Sequence, residues 1–205
     1  MNLETARAYA EEVKEILAPY CERIEIAGGI RREKPEPHDI EIVVKPRFED
    51  ATFGLYQPQM VNVLDPYIQG TLRDGGWVGK EFDYGDRDKA GKKAPCGPKY
   101  YRVKYRGEKL DIFAVIPPAE WGTIFAIRTG DADYSHWAVQ QGWPKGIKVE
   151  DGRLVRNGQT IHTPEESDFF SNLGIPFIEP HFRDYRATRA EPIPSDPLYR
   201  KEALK

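Results

Sequence analysis

Hydrophobic and polar positions follow a helical repeat at the start of the chain and a strand-like alternation soon after it. The apolar positions that recur at three- and four-residue steps are Leu3, Ala6, Ala10, Val13, Leu17 and Tyr20. This spacing predicts an amphipathic helix, capped by Asn2 and ending near Pro19. Residues 23–27 alternate as a first strand and lead into the pair Gly28-Gly29.

A second extended segment, from Asp39 to Val44, carries acids on one side and apolar residues on the other. Asp39 and Glu41 are two residues apart, so both side chains point to the same face of a strand, while Ile40 and Ile42 point to the other. The pattern predicts a strand with one wet, acidic face and one buried face.

Later segments predict a hairpin and then a unit of different character. Residues 61–72 carry a weaker helical repeat, and residues 100–105 and 110–115 form two strands around a turn at 106–108, with Asp111 on the second. Helices are predicted at 121–126 and 131–141. The dipeptides Asp151-Gly152 and Asn157-Gly158 predict a small antiparallel meander. A capping box at residues 163–166 opens a last helix, which Gly174 closes.

These elements predict an α+β protein. We expect a domain at residues 1–118 with a mixed or antiparallel sheet and flanking helices, a small α+β unit at 119–184, and an extended tail at 185–205.

Acidic side chains from two separate strands are the candidate chemistry. Asp39 and Glu41 would repel each other unless a positive group lay between them, and a divalent cation is the usual solution. Asp111 supplies a third carboxylate from the predicted hairpin. The alternating Asp39-Ile40-Glu41 pattern alone is more typical of a half-exposed sheet edge. The combination with the glycine pair favours a site for a metal-bound phosphate chain.

Two sets of motifs resemble the X family of DNA polymerases, the DNA polymerase beta group of nucleotidyltransferases. Gly28-Gly29-Ile30-Arg31-Arg32 followed by Asp39-Ile40-Glu41 is similar to that family's glycine turn, arginine pair and acidic strand. Glu120-Trp121-Gly122 with Arg128-Thr129-Gly130, and residues 163–180, are similar to its C-terminal motifs. The resemblance covers residues 1–184 and implies a nucleotidyltransferase palm followed by a small thumb-like subdomain.

The resemblance implies a role for each matching residue. The catalytic and metal-binding residues would be Asp39, Glu41 and Asp111, holding two Mg²⁺ ions that Mn²⁺ could replace. The triphosphate-binding residues would be Gly28, Gly29, Arg32 and His38. The nucleotide-binding residues would be Ile127, Arg128, Thr129, Gly130 and Ser135. The candidate contacts to template or DNA are His136, Lys99, Arg102 and Lys104.

The sequence departs from the family pattern at three places. Glu41 stands where these polymerases usually have Asp, and its longer side chain moves the carboxylate. Ile127-Arg128 replaces an aromatic pair that lies against the sugar, which leaves the choice between deoxy- and ribonucleotides open. Ser135 replaces an asparagine near the incoming base, and His136 beside it fits either a template contact or an exposed helix position.

The resemblance implies a small, metal-dependent DNA polymerase that adds nucleotides to a 3′-hydroxyl in gap filling or repair. Its partners would be a nucleoside triphosphate, the pyrophosphate product and a DNA primer/template. One alternative is a nucleotidyltransferase that modifies a protein, an RNA end or a small molecule, and another is a non-catalytic nucleotide- or DNA-binding accessory protein. Because no DNA-gripping module precedes the palm, we expect a monomer that works with a partner protein.

Charge and composition refine this picture. The net charge of −3 argues against a protein whose whole surface grips nucleic acid. Residues 80–109, however, hold ten basic and five acidic side chains, which suits either polyanion contact or a solvated loop. Cys21 and Cys96 lack metal-ligand spacing, and the sequence has neither a membrane-length apolar run nor a leader pattern. These features predict free thiols and a cytoplasmic protein with no membrane partner.

Overall fold

A computed structural model describes residues 1–51, 59–72, 82–87, 91 and 93–184. The predicted tail at 185–205 and residues 80, 81, 88–90 and 92 of the basic segment lie outside the described residues.

The described residues form six α-helices and eleven strands, with short 3-10 turns between some of them. The helices are α1 (Leu3–Leu17), α2 (Gly28–Arg31), α3 (Leu64–Leu72), α4 (Trp121–Thr129), α5 (Ala132–Gln140) and α6 (Glu166–Leu173). The strands are β1 (Cys21–Ile26), β2 (Ile40–Pro46), β3 (Phe48–Ala51), β4 (Gln59–Asn62), β5 (Asp83–Tyr84), β6 (Cys96–Gly97), β7 (Tyr100–Tyr105), β8 (Glu108–Ala114), β9 (Ile147–Glu150), β10 (Arg153–Arg156) and β11 (Gln159–Ile161).

The main sheet is mixed, as the sequence predicts. Its strands run in the order β1-β2-β8-β7-β5, and β6 pairs with β7. Only β2 and β8 are parallel among its described pairs, and they form the centre of the sheet. Strands β3 and β4 form a separate two-stranded ribbon that the sequence pattern did not predict.

Helices α1 and α3 cover one face of this sheet. Four of the predicted apolar positions of α1 are buried in one core with Ile40, Ile42 and Val44 of β2, which confirms the predicted buried face; they are Ala6, Ala10, Val13 and Leu17. Asn2 caps α1 by accepting a hydrogen bond from the backbone N–H of Thr5 at 2.8 Å. None of the helices in the described ranges combines the length and apolar character that a membrane-crossing helix needs.

The opposite face of β2 is only partly accessible to solvent. The prediction of a solvent-exposed acidic face was therefore incomplete. Val43 of β2 and Phe113 of β8 are buried against Trp121 and Phe125 of α4. Because α4 covers this face, β2 is a central strand buried on both sides. At the end of the sheet that carries the acids, Asp39 and Glu41 stay partly accessible.

The C-terminal unit has the predicted helices and meander. Strands β9, β10 and β11 form a sheet whose two turns place Asp151-Gly152 and Asn157-Gly158 at positive φ, as tight hairpin turns require. Helices α5 and α6 pack on this sheet around Phe169 and Phe170.

Three helix boundaries differ from the predictions. Val61 of the predicted helical repeat lies in β4, and α3 begins only at Leu64. Helix α4 continues to Thr129 instead of stopping at residue 126. The capping box of α6 is formed by Glu165 and Asp168, not by Thr163, whose buried hydroxyl instead contacts that of Thr123 at 2.7 Å. Gly174 ends α6 at φ +70°, as predicted.

Candidate active site

Two adjacent parallel strands bring the predicted carboxylates to one end of the main sheet. Glu41 of β2 lies directly opposite Asp111 of β8 in the strand register, a separation of about 5 Å between neighbouring backbones. Asp39 precedes β2 by one residue and is two positions from Glu41, on the same side. Residues 70 positions apart in the chain therefore meet in one place.

The electrostatics show that these acids interact. Burial and, next, the negative charge of Asp39 raise the pKa of Glu41 to about 7, although Arg32 acts in the opposite direction. Burial and the charge of Asp111 likewise raise the pKa of Asp39. Each ionised carboxylate therefore destabilises the charged form of its neighbours, and a cation bound between them would relieve this repulsion.

Asp111 already has a cationic partner within the chain. Arg102 of β7 donates from Nε to Oδ1 at 2.8 Å and from Nη2 to Oδ2 at 2.7 Å, so both carboxylate oxygens are occupied. In the described ranges, no three His, Cys, Asp or Glu side chains are arranged as a metal site. The predicted ligand set has the hard oxygen donors that Mg²⁺ prefers, but its role as a metal site stays a prediction.

The glycine pair forms the first turn of α2, beside these acids, and its two members differ. Gly28 has φ +58°, and a Cβ there would lie 1.7 Å from the Glu41 Oε2 atom. Only glycine therefore allows this backbone to approach the Glu41 carboxylate. A Cβ at Gly29 would instead make ordinary contacts, at 3.6 Å, with Lys34 and Pro37.

Arg32 follows α2 and connects it to the C-terminal unit. Its side chain is buried, and Nη1 donates to the carbonyl oxygen of Thr129 at the end of α4. Its Nε atom has no hydrogen-bond partner in the part of the chain that the structure describes. Burial lowers the Arg32 pKa, and the charge of Glu41 acts against this shift. His38 is exposed next to Asp39.

The predicted nucleotide-binding residues lie together where α4 passes into α5. Thr129 is buried and Gly130 allows close packing, since a Cβ there would lie 2.5 Å from the ring of Tyr134. Ser135 donates its hydroxyl to the carbonyl of Ile127 at 2.7 Å, so this hydroxyl already serves the fold.

Arg128 points back towards the acids. Its guanidinium lies 4.0 Å over the ring of Phe113 on β8, and it interacts with the charges of Glu41 and Asp111. The ring of Phe113 stacks in turn on Tyr100 at 4.9 Å. A charged side chain thus lies beside the acids in place of the aromatic pair of the resembled family.

The candidate DNA contacts fall into two groups. Arg102 and Lys104 share one face of β7, with Lys104 paired to Asp86 at 2.7 Å, and Lys99 lies just before this strand. His136 is exposed on α5, edge-on to Trp143 at 6.5 Å. The two groups lie on different elements.

Sequence reasoning missed a buried ion cluster between α2 and α6. Arg31 donates to both carboxylate oxygens of Glu166, at 2.7 and 2.8 Å, and to the hydroxyl of Thr129 at 2.6 Å. Arg183, which is fully buried, donates to the same Glu166. The arginine pair 31–32 was the signal, but one sequence cannot show which distant acid pairs with Arg31.

A second ion pair, more exposed than this cluster, also joins the N-terminal part of the chain to the C-terminal unit. Arg23 of β1 donates to both oxygens of Glu165, at 2.8 and 2.9 Å, and lies 4.3 Å over the ring of Trp121. Arg31 lies similarly, 3.9 Å over Phe125, one turn further along α4. Two arginines of the N-terminal part are thus each held between an aromatic ring and an acid of the C-terminal unit.

A mixed sheet with acids on two parallel central strands, a glycine-initiated turn beside them and a following α+β unit defines a nucleotidyltransferase fold. The comparisons agree that the chain has an X-family DNA polymerase-like fold. The structure is similar to that of Leishmania infantum polymerase beta in a ternary P/T complex, with a TM-score of 0.54 and 17% identity, over 90% of this chain and 76% of that one.

Sequence comparison leads to the same group. The chain is 25% identical to DNA polymerase lambda of Rattus norvegicus over 170 aligned residues, and the match covers 77% of this chain and 28% of the relative. This chain thus spans little more than a quarter of that relative's length. No protein-family model matches the chain.

Proposed function

We propose that this protein is a metal-dependent nucleotidyltransferase, a small X-family-like DNA polymerase that adds nucleotides to a 3′-hydroxyl in gap filling or repair. The observation that carries the proposal is the parallel register of Glu41 and Asp111, with Asp39 on the same side and Gly28 against Glu41. The similarity to DNA polymerase lambda and to polymerase beta supports DNA as the acceptor.

The protein's own residues would divide the work as follows. Asp39, Glu41 and Asp111 would hold two Mg²⁺ ions, or Mn²⁺ in their place. When bound, such ions supply positive charge that neutralises phosphate oxygens and acidifies the attacking hydroxyl. Asp111 would accept the proton of the 3′-hydroxyl as the new O–P bond forms, and the α–β phosphate bond breaks to release pyrophosphate.

Substrate binding would use the surfaces next to the acids. Arg32, with Gly28, Gly29 and His38, would hold the outer phosphates. The buried Nε of Arg32, which has no hydrogen-bond partner among the described residues, supports this role. The turn at Thr129-Gly130 would receive the sugar. Because Arg32 binds the Thr129 carbonyl, the two subsites are joined by a hydrogen bond.

Primer extension on gapped DNA tests the proposal. A labelled primer, the wild-type protein, Mg²⁺ and each of the eight common nucleotides would be combined in separate reactions. Template-dictated addition of one nucleotide per gap position is the expected result, and the sugar preference follows from the same reactions. No addition with any nucleotide, in Mg²⁺ or Mn²⁺, would contradict a polymerase.

One observation favours a second candidate, a non-catalytic nucleotide- or DNA-binding protein. Both carboxylate oxygens of Asp111 accept hydrogen bonds from Arg102, which compete with metal binding by this residue. This candidate predicts nucleotide or DNA binding that is indifferent to divalent cations. Binding assays with and without Mg²⁺ would separate it from the enzyme. The other alternative, transfer to protein, RNA or a small molecule, would appear as label on those acceptors instead of DNA.

A further inference from the structure

The ion pair between Arg102 and Asp111 has two unequal members. Asp111 has only 5% of its side-chain surface exposed, whereas Arg102 has 46% exposed. The two residues are directly opposed on β7 and β8. Asp111 is thus fixed within the sheet, and the guanidinium is the member with room to move into solvent.

This pairing is in direct conflict with metal binding by Asp111. A carboxylate whose two oxygens accept hydrogen bonds from a guanidinium is less available to coordinate a cation, and the repulsion between Arg102 and a divalent ion adds to the conflict. Arg102 must therefore leave Asp111 before this residue can join Asp39 and Glu41 around an ion.

The outer face of β7 indicates what would receive the released guanidinium. Tyr100, Arg102 and Lys104 alternate with the buried Tyr101 and Val103, so their side chains share the face that also carries Asp111. Tyr100 packs against Phe113 at the covered part of this face, whereas Arg102 is exposed. Arg102 also lies 5.7 Å from the centre of the Tyr100 ring. Two cations in a row suit a nucleic-acid strand, which offers phosphates to them.

We propose that Arg102 is a positioning residue that keeps Asp111 from binding metal until a nucleic-acid phosphodiester takes its guanidinium. This inference rests on the proposed function, since it assigns the order in which that site is assembled. Nucleic acid and metal then bind cooperatively, because each favours the state in which Arg102 and Asp111 are apart. By linkage, DNA tightens metal binding by the same factor by which metal tightens DNA binding.

Mn²⁺ binding, followed by electron paramagnetic resonance of the free ion, tests this inference without catalysis. The wild-type protein, Arg102→Gln and Arg102→Lys are titrated with and without a gapped duplex whose primer ends in a dideoxynucleotide. Mn²⁺ bound by the duplex alone is measured separately and subtracted. Arg47→Gln is the matched control, since Arg47 also pairs with a carboxylate, Glu49, and is 49% exposed.

Without DNA, Arg102→Gln is expected to bind Mn²⁺ about five- to tenfold more tightly than the wild type, the effect of removing one ion pair and one repulsive charge. Arg102→Lys, which cannot occupy both oxygens, should lie between them, and Arg47→Gln should match the wild type. The duplex should tighten Mn²⁺ binding by the wild type several-fold and by Arg102→Gln much less.

Equal Mn²⁺ affinity of the wild type and both Arg102 variants would overturn the inference while leaving the metal-dependent function intact. A wild-type affinity that the duplex does not change would overturn the assignment of the phosphodiester. Mn²⁺ binding by none of the proteins would overturn the proposed function, and this inference with it.

Discussion

The residue type at position 28 is constrained by the Glu41 side chain that lies against it. The missing side chain of Gly28 leaves the space in which the Glu41 carboxylate lies, and its positive φ adds a second reason for glycine. Gly29 meets neither condition. The two glycines, identical in sequence, therefore differ in how much of the site depends on them.

We expect Gly28→Ala to destabilise the protein by about 2 kcal/mol or more, because it combines a left-handed backbone with overpacking. Gly29→Ala, the matched control, should change the free energy of unfolding by less than about 1 kcal/mol. Urea denaturation of both variants measures these values. Equal effects of the two substitutions would contradict the proposed contact between Gly28 and Glu41.

Asp111 allows a test of the proposed chemistry. Asp111→Asn keeps the shape of the side chain but removes its charge and its capacity to accept a proton. Nucleotide addition should fall by about 10²- to 10⁴-fold, the usual contribution of a general base, while circular dichroism stays unchanged. The control is Asp50→Asn, at an exposed position of β3. Undiminished addition by Asp111→Asn would remove this residue from the mechanism.

Between elements, the two consecutive acids before and in α6 form a natural comparison. Glu166 is buried between Arg31 and Arg183, whereas Glu165 pairs with Arg23 at the surface. Burial alone would raise the pKa of Glu166, but the hydrogen bonds from Arg31 and Arg183 outweigh it and lower the pKa. Glu166 is therefore held in its ionised form between the two arginines.

Glu166→Gln should reduce the free energy of unfolding at pH 7 by about 3–5 kcal/mol, because it leaves the buried Arg183 and the partly buried Arg31 without their counter-ion. Glu165→Gln should cost no more than about 1 kcal/mol. Since the folded Glu166 has a lowered pKa, its contribution is complete above the ordinary value of 4.5 and is lost as the pH falls below it. Urea denaturation between pH 3 and 7 should show the wild type and Glu166→Gln converging at low pH.

The same cluster should also affect substrate binding. Arg31 binds the hydroxyl of Thr129, and the neighbouring Arg32 binds its carbonyl. Loss of Glu166 would free Arg31 and shift this turn, which we assign to the sugar. Glu166→Gln should therefore raise the KM for the nucleotide at least several-fold, and Glu165→Gln should leave it unchanged. Steady-state primer extension measures both, and equal KM values in the two variants would count against the coupling.

At the scale of the elements, the sequence predicted several helices and strands but missed some helix boundaries and the contacts between distant elements. Periodicity located α1, the β7–β8 hairpin and the meander, because their patterns are local. It missed the continued helix to Thr129 and the partner of Arg31, because both depend on residues far away in the chain. The acids at 39, 41 and 111 were found through a motif, but the pairing of Asp111 with Arg102 depends on strand register, which no motif states.

For the molecule as a whole, the junction between the two parts is a core in its own right. Val43 and Phe113 from the main sheet and Trp121 and Phe125 from α4 are buried together. The guanidinium groups of Arg23 and Arg31 lie over the rings of Trp121 and Phe125. We therefore expect the protein to unfold in one cooperative transition.

Calorimetry tests this expectation. The wild type should give a calorimetric enthalpy equal to its van't Hoff enthalpy. The double variant Arg23→Gln/Arg31→Gln, which removes both arginine pairs, should separate the transition into two. The control Arg7→Gln/Arg47→Gln removes two exposed ion pairs elsewhere and should keep a single transition. Two transitions in the wild type would show that the parts are thermodynamically independent.

The shared core at the junction also bears on how this protein could be divided. A cut after residue 118 would leave Val43 and Phe113 uncovered on one fragment and Trp121 and Phe125 uncovered on the other. Each fragment would then expose an apolar surface that is complementary to the surface exposed on the other fragment. The two fragments, expressed separately, should associate in solution. This junction is therefore a suitable position at which to divide the protein into two complementing fragments.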